Sequence, residues 1–345
     1  MRTMRIVVMS LAVLLAGSLP AVAQTKWDVT KTWHIGGDGG WDYLTVDPQT
    51  HRLFVPRGTH TLVIDAGTGK VLGDIPGQKI AHGVAIVPSL GRGFITDGGG
   101  DGAIVIFDLK TYAVLGKLVT VPDSDGIIYD AELGRVLAVS GDKGVLMSFK
   151  PDIDPKSGKI DTPIELGGAP EFLASDGTGK VYINLEDKDV VAEVDLPANK
   201  VIARWPVAPG GQPVGMALDK KTHRLFIGCR KPQKMIVMST ENGKILSALP
   251  IGAGVDATKF DAGQAFASCR DGSLTVAGEM SGKFEVEQVV KTPLGARTMG
   301  IDPTTHKIYL PTAEFEEVKP GSASSRPKPK PESFMIVEVG RSAAR

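Results

Sequence analysis

The chain has 345 residues, with 39 Lys and Arg balanced by 39 Asp and Glu. That balance excludes a protein built chiefly to hold nucleic acid, which needs a basic face. Two cysteines exclude a disulfide scaffold, and 42% hydrophobic with 23% charged residues is the make-up of an ordinary folded domain.

Residues 1–23 read as a signal peptide. Arg2 and Arg5 give a basic start, Ile6 to Gly17 an apolar core, and Ala21-Val22-Ala23 a small-residue cleavage site. The apolar run is too short for a membrane span. No cysteine follows the cleavage site to carry a lipid, and no other stretch is long and apolar enough to cross a bilayer. The mature chain is expected to be periplasmic or secreted, with no membrane span. Without Arg2 and Arg5 it carries 37 basic against 39 acidic residues.

The segment VTKTWHIGG (29–37) then reads as a strand with no neighbour of its own. After it, one module recurs: an apolar segment, a short turn rich in Asp, Pro and Gly, and a second apolar segment. LTVDPQTHRLFV (44–55), FLASDGTGKVYI (172–183), MALDKKTHRLFI (216–227) and MGIDPTTHKIYL (299–310) are examples. The turn anchors are Asp47, Val87, Asp130, Asp176, Asp219, Asp261 and Asp302, at steps of 40, 43, 46, 43, 42 and 41 residues. Between modules lie hairpin patterns such as AIVIFDLKTYAVLGKL (103–118). A period near 40 with four short strands per unit predicts an all-β protein: a seven-bladed β-propeller of four-stranded antiparallel blades. Residues 24–340 are expected to form this single domain, followed by a polar tail, 341–345.

The seventh unit has no fourth strand after SFMIVEVG (333–340), so the N-terminal strand is expected to close the last blade and cover two edges. Residues 314–333, EFEEVKPGSASSRPKPKPES, interrupt that blade, and their Pro, Ser and Lys content predicts a disordered loop insertion. Nothing in the pattern calls for a second subunit, and a monomer is expected. Cys229 and Cys269 hold equivalent positions in neighbouring units, which leaves both a bridge and two free thiols open.

The first strand of each unit should line the central channel. Five places before each anchor stand Asp42, His82, Asp125, Glu171, Val214, Asp256 and Arg297. Charge at six of seven such positions exceeds what a chain with 23% charged residues places by chance. Two readings stay open. His82 falls between Asp42 and Asp125, and Arg297 between Asp256 and Asp42, so the ring can be an ion-pair plug. Alternatively it is the floor of a ligand site, since charge in a concave place is costly without a use. Asp125 and Glu171 are the positions expected to take a divalent cation such as calcium, which favours oxygen ligands. Rim residues on the same face are Arg57, Asp97, Asn184, Glu186 and Glu314, with Asp187, Arg230, Arg270 and Asp271 beside them. His51, His223 and His306 share one place in the opposite turns and read as turn residues. No haem, zinc-protease or serine-hydrolase motif is present, and no catalytic residue is assigned.

The repeated DPxTHRLFV turns, AHGVAIVPSLGRGFITDGGGDG (81–102), KVYINLEDK (180–188) and GARTMGIDPTTHKIYLPTAEF (295–315) resemble the secreted YVTN-type, YncE-like propeller repeat proteins. The likeness spans the mature chain, although the YVTN tetrapeptide itself is absent and YINL (182–185) and FITD (94–97) stand nearest to it. It implies an exported, non-enzymatic binding scaffold whose partner is a small polar ligand, a cation or a protein. Some relatives are held to bind DNA, and the carboxylate-rich channel of this chain departs from that expectation. A more distant likeness to propeller lactonases and lyases implies the alternative, a hydrolase or lyase acting on a small lactone or sugar acid, for which His82, Glu171 and Arg297 have suitable types.

Overall fold

The computed structural model describes residues 26–317 and 327–342; the expected signal segment 1–23 and residues 343–345 lie outside them. Strand β1 is Lys26–His34. A seven-stranded sheet follows, hydrogen-bonded in chain order: β2 (Thr45–Asp47), β3 (Arg52–Pro56), β4 (Gly58–Asp65), β5 (Val71–Val87), β6 (Arg92–Asp97), β7 (Ala103–Asp108) and β8 (Val114–Val119). Four four-stranded sheets come next. The first is β9 (Ser124–Asp130), β10 (Arg135–Ser140), β11 (Val145–Phe149) and β12 (Ile164–Glu165). The second is β13 (Pro170–Ser175), β14 (Lys180–Leu185), β15 (Val190–Asp195) and β16 (Lys200–Pro206). The third is β17 (Pro213–Asp219), β18 (Arg224–Arg230), β19 (Gln233–Ser239) and β20 (Ile245–Pro250). The fourth is β21 (Val255–Asp261), β22 (Gln264–Cys269), β23 (Ser273–Met280) and β24 (Lys283–Lys291). The last sheet orders β25 (Gly300–Asp302), β26 (Lys307–Thr312) and β27 (Met335–Ser342) beside β1. Every pairing is antiparallel.

Strand β5 is long because it serves two neighbours. Its first half pairs with β4, out to Gly58↔Ala81, and its second half with β6, from Ala81↔Asp97 to Val87↔Arg92. The sequence reading ends one strand at Pro76 and starts the next at Val84. The backbone stays extended between them because its groups find side-chain partners. Lys79 and Ile80 N–H both donate to Asp97 Oδ1 at 2.9 Å, and Pro76 O accepts from Gln78 Nε2 at 2.8 Å.

The inner strands meet in chain order (β2, the second half of β5, β9, β13, β17, β21, β25), and β25 returns to β2, so they surround a central channel. Strands next to them, such as β10, β14 and β22, are buried over almost their whole length, because both faces meet a neighbouring sheet. They therefore read as unbroken apolar runs. Outer strands such as β16 alternate half-buried and exposed positions. Aromatic residues pack across these layers: Phe54 and Phe107, from the two halves of the seven-stranded sheet, have ring centres 5.6 Å apart, and Phe94 and Phe149, from consecutive sheets, 5.5 Å apart.

The N-terminal strand pairs with the C-terminal one from Lys26↔Ser342 to His34↔Met335. β1 begins three residues earlier than expected, and β27 runs on through Arg341 and Ser342, which the sequence reading gives to a polar tail. Their backbone groups take partners on β1, and an outer edge tolerates polar side chains. At the insertion, residues 318–326 lie outside the described residues. The flanks of the 314–333 segment are tied together: Phe315 bridges Pro329, Glu316 N–H donates to Lys328 O at 2.9 Å, and Lys330 N–H donates to Glu314 O at 2.8 Å. Cys229 and Cys269 are free and fully buried, and burial pushes both thiols up to about 12. Such thiols are poor nucleophiles.

The turn histidines clamp adjacent sheets. His51 Nδ1 lies 2.9 Å from Asp302 Oδ2, and His306 Nδ1 lies 2.7 Å from Asp261 Oδ2. His51, His223 and His306 all have φ between 51° and 56°, as a turn position demands. Burial alone would raise the Asp302 carboxyl, but hydrogen bonds from Thr304 and His51 outweigh it and hold it at about 2. Because the folded value is depressed, this stabilisation is full above the ordinary carboxylate range and is lost as pH falls toward 2. Asp302→Ala is expected to lower stability by about 1–3 kcal/mol at neutral pH, and urea titrations should show the gap from wild type closing in acid.

Candidate functional site

His82, Asp125, Glu171, Val214 and Asp256 owe their placement to β-bulges at the start of the inner strands, while Asp42 and Arg297 stand in the segments just before β2 and β25. Register shifts fall between Ala81 and Val84, between Pro170 and Leu173, between Pro213 and Met216, and between Val255 and Ala257. β9 carries the same irregularity opposite Ala138 and Ser140. An extra residue there bends the strand and re-aims its side chain toward the channel. Side chains of the second strands then fix the bulges to the next sheet. Thr96 Oγ1 donates to Asp125 O at 2.5 Å, Asn184 Nδ2 donates to Val214 O at 2.8 Å, and Ser268 Oγ donates to Arg297 O at 2.5 Å. Thr298 Oγ1 donates to Asp42 O at 3.1 Å in the same way.

Two linked clusters result. In the first, His82 Nδ1 lies 2.8 Å from Asp42 Oδ2 and 3.6 Å from Asp125 Oδ1. Potential ligand atoms of these three residues all fall within 4.8 Å of one another. In the second, Asp256 lies between two guanidinium groups, those of Arg297 and Arg230. Arg230 Nη1 also reaches Glu186 at 2.9 Å and Glu171 at 4.0 Å. Arg297 Nη2 donates to Trp41 O at 3.4 Å, which brings it beside the first cluster. All six ring residues therefore gather at one channel mouth. The seventh, Val214, is buried.

Asp125 and Glu171, the positions expected to take a cation, are near enough for the Asp125 charge to help raise the Glu171 carboxyl. Each has a basic neighbour of its own: His82 for Asp125, and Arg230 for Glu171. Among the described residues, the trio close enough to share an ion is Asp42, His82 and Asp125, where the sequence reading names Asp125 and Glu171. Arg230 explains the difference. Its own sheet offers Val214 at the ring position, and the long Arg230 side chain at the end of β18 fills that gap from the neighbouring strand. The sequence signal was an Arg following the FIGC run in the one unit whose ring residue carries no charge.

Of the rim residues, Glu186 and Arg230 join the clusters. Arg57 is buried, its guanidinium donating to the carbonyls of Gly40, Gly37 and Asp38 at 2.8–3.1 Å and lying 3.6 Å from the centre of the Phe334 ring. It organises the loop before β2. Asp97 is buried and accepts from Lys79, Ile80 and Lys117. Asn184 holds a bulge, and Glu314 pairs with Lys330 on the surface at 3.1 Å. Asp187 and Asp271 accept backbone N–H groups of Ala169 and Ala253. Ends of strands carry polar side chains for backbone satisfaction as readily as for ligands, and sequence position does not separate the two uses.

The mouth holds protons at neutral pH. Burial disfavours the His82 cation, but Asp42 and Asp125 reverse this and raise it to about 9. Burial raises Asp125 to about 7 against the pull of His82. Burial, with Glu186 and Asp125 adding to it, raises Glu171 to about 9. The mouth thus combines a protonated carboxyl and an imidazolium with two guanidinium groups. Its floor is aromatic. Tyr43 and Phe172, from opposite sides of the channel, meet with ring centres 4.8 Å apart. The equivalent positions elsewhere are Gly83, Gly126, Gly215, Ala257 and Thr298. A Cβ at Gly126 would lie 2.7 Å from Glu171 O, and one at Gly215 2.5 Å from Thr258 N, so the inner strands approach too closely there for larger residues.

No helix among the described residues is long and apolar enough to cross a membrane. No protein-family model matches the chain, and no curated protein matches it. Solved structures do match. The WD40 repeats of RRP9 superpose with a TM-score of 0.75 at 10% identity, over 92% of this chain and 100% of that one. The WD40 β-propeller domain of Doa1 gives 0.69 at 13% identity, over 91% and 97%. Hydrazine synthase of Kuenenia stuttgartiensis gives 0.68 at 13% identity, over 81% and 94%. At these identities the likeness is one of architecture, and the chain folds as a β-propeller.

Proposed function

We propose that the protein is an exported binding protein of the YVTN type, built from seven blades, whose channel mouth takes a cation. Counting β5 in two blades divides the seven-stranded sheet into two four-stranded units, in keeping with the seven turn anchors. The WD40 neighbours support a binding or scaffold role. The observation that carries the ligand reading is the mutual approach of Asp42, His82 and Asp125. The proton that His82 shares with two carboxylates occupies the place of a metal ion. With an imidazole in the donor set, zinc or manganese suits the group better than calcium, which prefers oxygen alone.

A cation here competes with protons on His82 and Asp125, so its affinity must rise with pH. Titration calorimetry with Zn²⁺ should show binding tighter by about tenfold for each pH unit per proton displaced, over the range in which Asp125 and His82 titrate. Asp125→Asn should abolish it. Affinity unchanged between pH 6 and pH 8, or retained in Asp125→Asn, would overturn the reading.

One feature favours a second reading. Glu171 keeps its proton at neutral pH beside Arg230 and Glu186, the arrangement a general acid requires. A lactonase-like hydrolase or lyase at the same mouth would use it. Turnover of a panel of small lactones and sugar acids, lost in Glu171→Gln without change in folding, supports that reading; no turnover across the panel dismisses it.

A further inference from the structure

Behind the Tyr43–Phe172 layer the channel opens into a second cavity of about 230 Å³. Its lining comes from inner strands on several sides: Thr45, Ile86, Ile128, Tyr129, Phe172 and Lys259 carry the argument. These residues, Phe172 apart, stand one or two places before the turn anchors, so the cavity lies on the turn side of the aromatic floor, away from the carboxylate mouth. Lys259 is exceptional in its layer. The equivalent positions of the other units are Thr45, Ala85, Ile128, Ala174, Ala217 and Gly300, none of them charged.

Lys259 Nζ lies 4.9 Å from the centre of the Phe172 ring. No ion pair or hydrogen bond within the described residues engages it, and no carboxylate lines the cavity. The half-buried ammonium has the Phe172 ring face beside it but no counter-charge, and burial lowers the Lys259 amine to about 8. The apolar walls do not explain a lysine; a bound anion does. The volume is that of about eight waters at roughly 30 Å³ each, which limits the ligand to a few heavy atoms. One point charge beside apolar walls suits a monoanion with a hydrocarbon body, whereas a phosphate dianion needs several donors.

We propose that this inner cavity is a binding site for a small monocarboxylate, a short-chain organic acid whose carboxylate pairs with Lys259 and whose alkyl end packs on Ile86 and Ile128. The site is separate from the mouth and does not depend on a metal there.

The test uses the whole mature protein and sodium propionate. Saturation-transfer NMR should show saturable propionate binding with a Kd on the order of 1 mM, weakened at least tenfold by Lys259→Met and unaffected by Asp125→Asn. Inorganic phosphate at the same concentration should compete poorly. If Lys259→Met fails to fold, the Lys259 titration followed by NMR in the wild type decides. Propionate must then shift that amine upward, because the anion binds its charged form. Absence of saturable binding, equal binding by folded Lys259→Met, or a Lys259 titration indifferent to propionate overturns the proposal. Stronger binding of phosphate than of propionate overturns the monocarboxylate assignment.

Discussion

Asp256→Ala is expected to destabilise the protein by about 3–5 kcal/mol, more than any other single change at the channel mouth. Asp256 is 3% exposed and stands between Arg230 and Arg297. Removing it leaves two half-buried guanidinium groups facing one another with no carboxylate between them. Arg230 keeps Glu186, but Arg297 retains only the carbonyl of Trp41. Arg297→Met is expected to cost less, because Asp256 would keep Arg230. Denaturant unfolding of the two variants ranks them, and Asp256→Ala unfolding at the wild-type midpoint would remove the central ion pair from the account. Glu171→Gln should act in the opposite direction. The folded value of Glu171 is raised, so its contribution is intact below the ordinary glutamate range and stability is lost as pH rises toward about 9. The glutamine variant escapes that loss and should be the more stable protein at pH 8, with the difference vanishing in acid.

The architecture was legible because it repeats. Seven turns, six of them anchored on Asp, recur at a near-constant step that can be read without knowing any contact, and the unmatched strand at the start answered the missing strand at the end. The ring was legible for the same reason: one position, counted back from each anchor, collected Asp42, His82, Asp125, Glu171, Asp256 and Arg297. What the count did not carry was reach. Arg230 belongs to another strand, and its length takes it to Asp256 and Glu186 across the place that Val214 leaves uncharged. Two rim positions are used differently for a related reason. Arg57 and Asp97 sit where rim ligands would sit, yet their side chains turn inward to satisfy backbone groups of nearby loops. Lys259 needed the third dimension, since nothing in FDAG or ATKF says that its layer is a cavity rather than a packed wall.

Deleting residues 26–34 is expected to have the largest effect of all. β1 supplies the outer strand of the sheet that carries the C-terminus, with eight matched positions. It also ties that sheet to the one before it. Trp27 is 5% exposed and meets Phe266 edge-on at 5.0 Å, its Nε1 donates to Gln264 at 3.1 Å, and Gln288 bonds both its backbone N–H and its carbonyl. Trp33 stacks on Tyr309 at 6.2 Å. Truncating Trp27 alone to Ala should lower stability by about 3–5 kcal/mol. The deletion adds the loss of the strand pairing and exposes the edge of β27, a template for aggregation. Against a total stability of about 5–15 kcal/mol, the shortened chain should be largely unfolded or aggregated at room temperature. A synthetic peptide of residues 26–34 added in trans should restore the native circular dichroism signal and melting transition, as an outer strand that binds an open edge must. A deletion variant that melts at the wild-type temperature, with no response to the peptide, would show that the sheets hold together without their N-terminal strand.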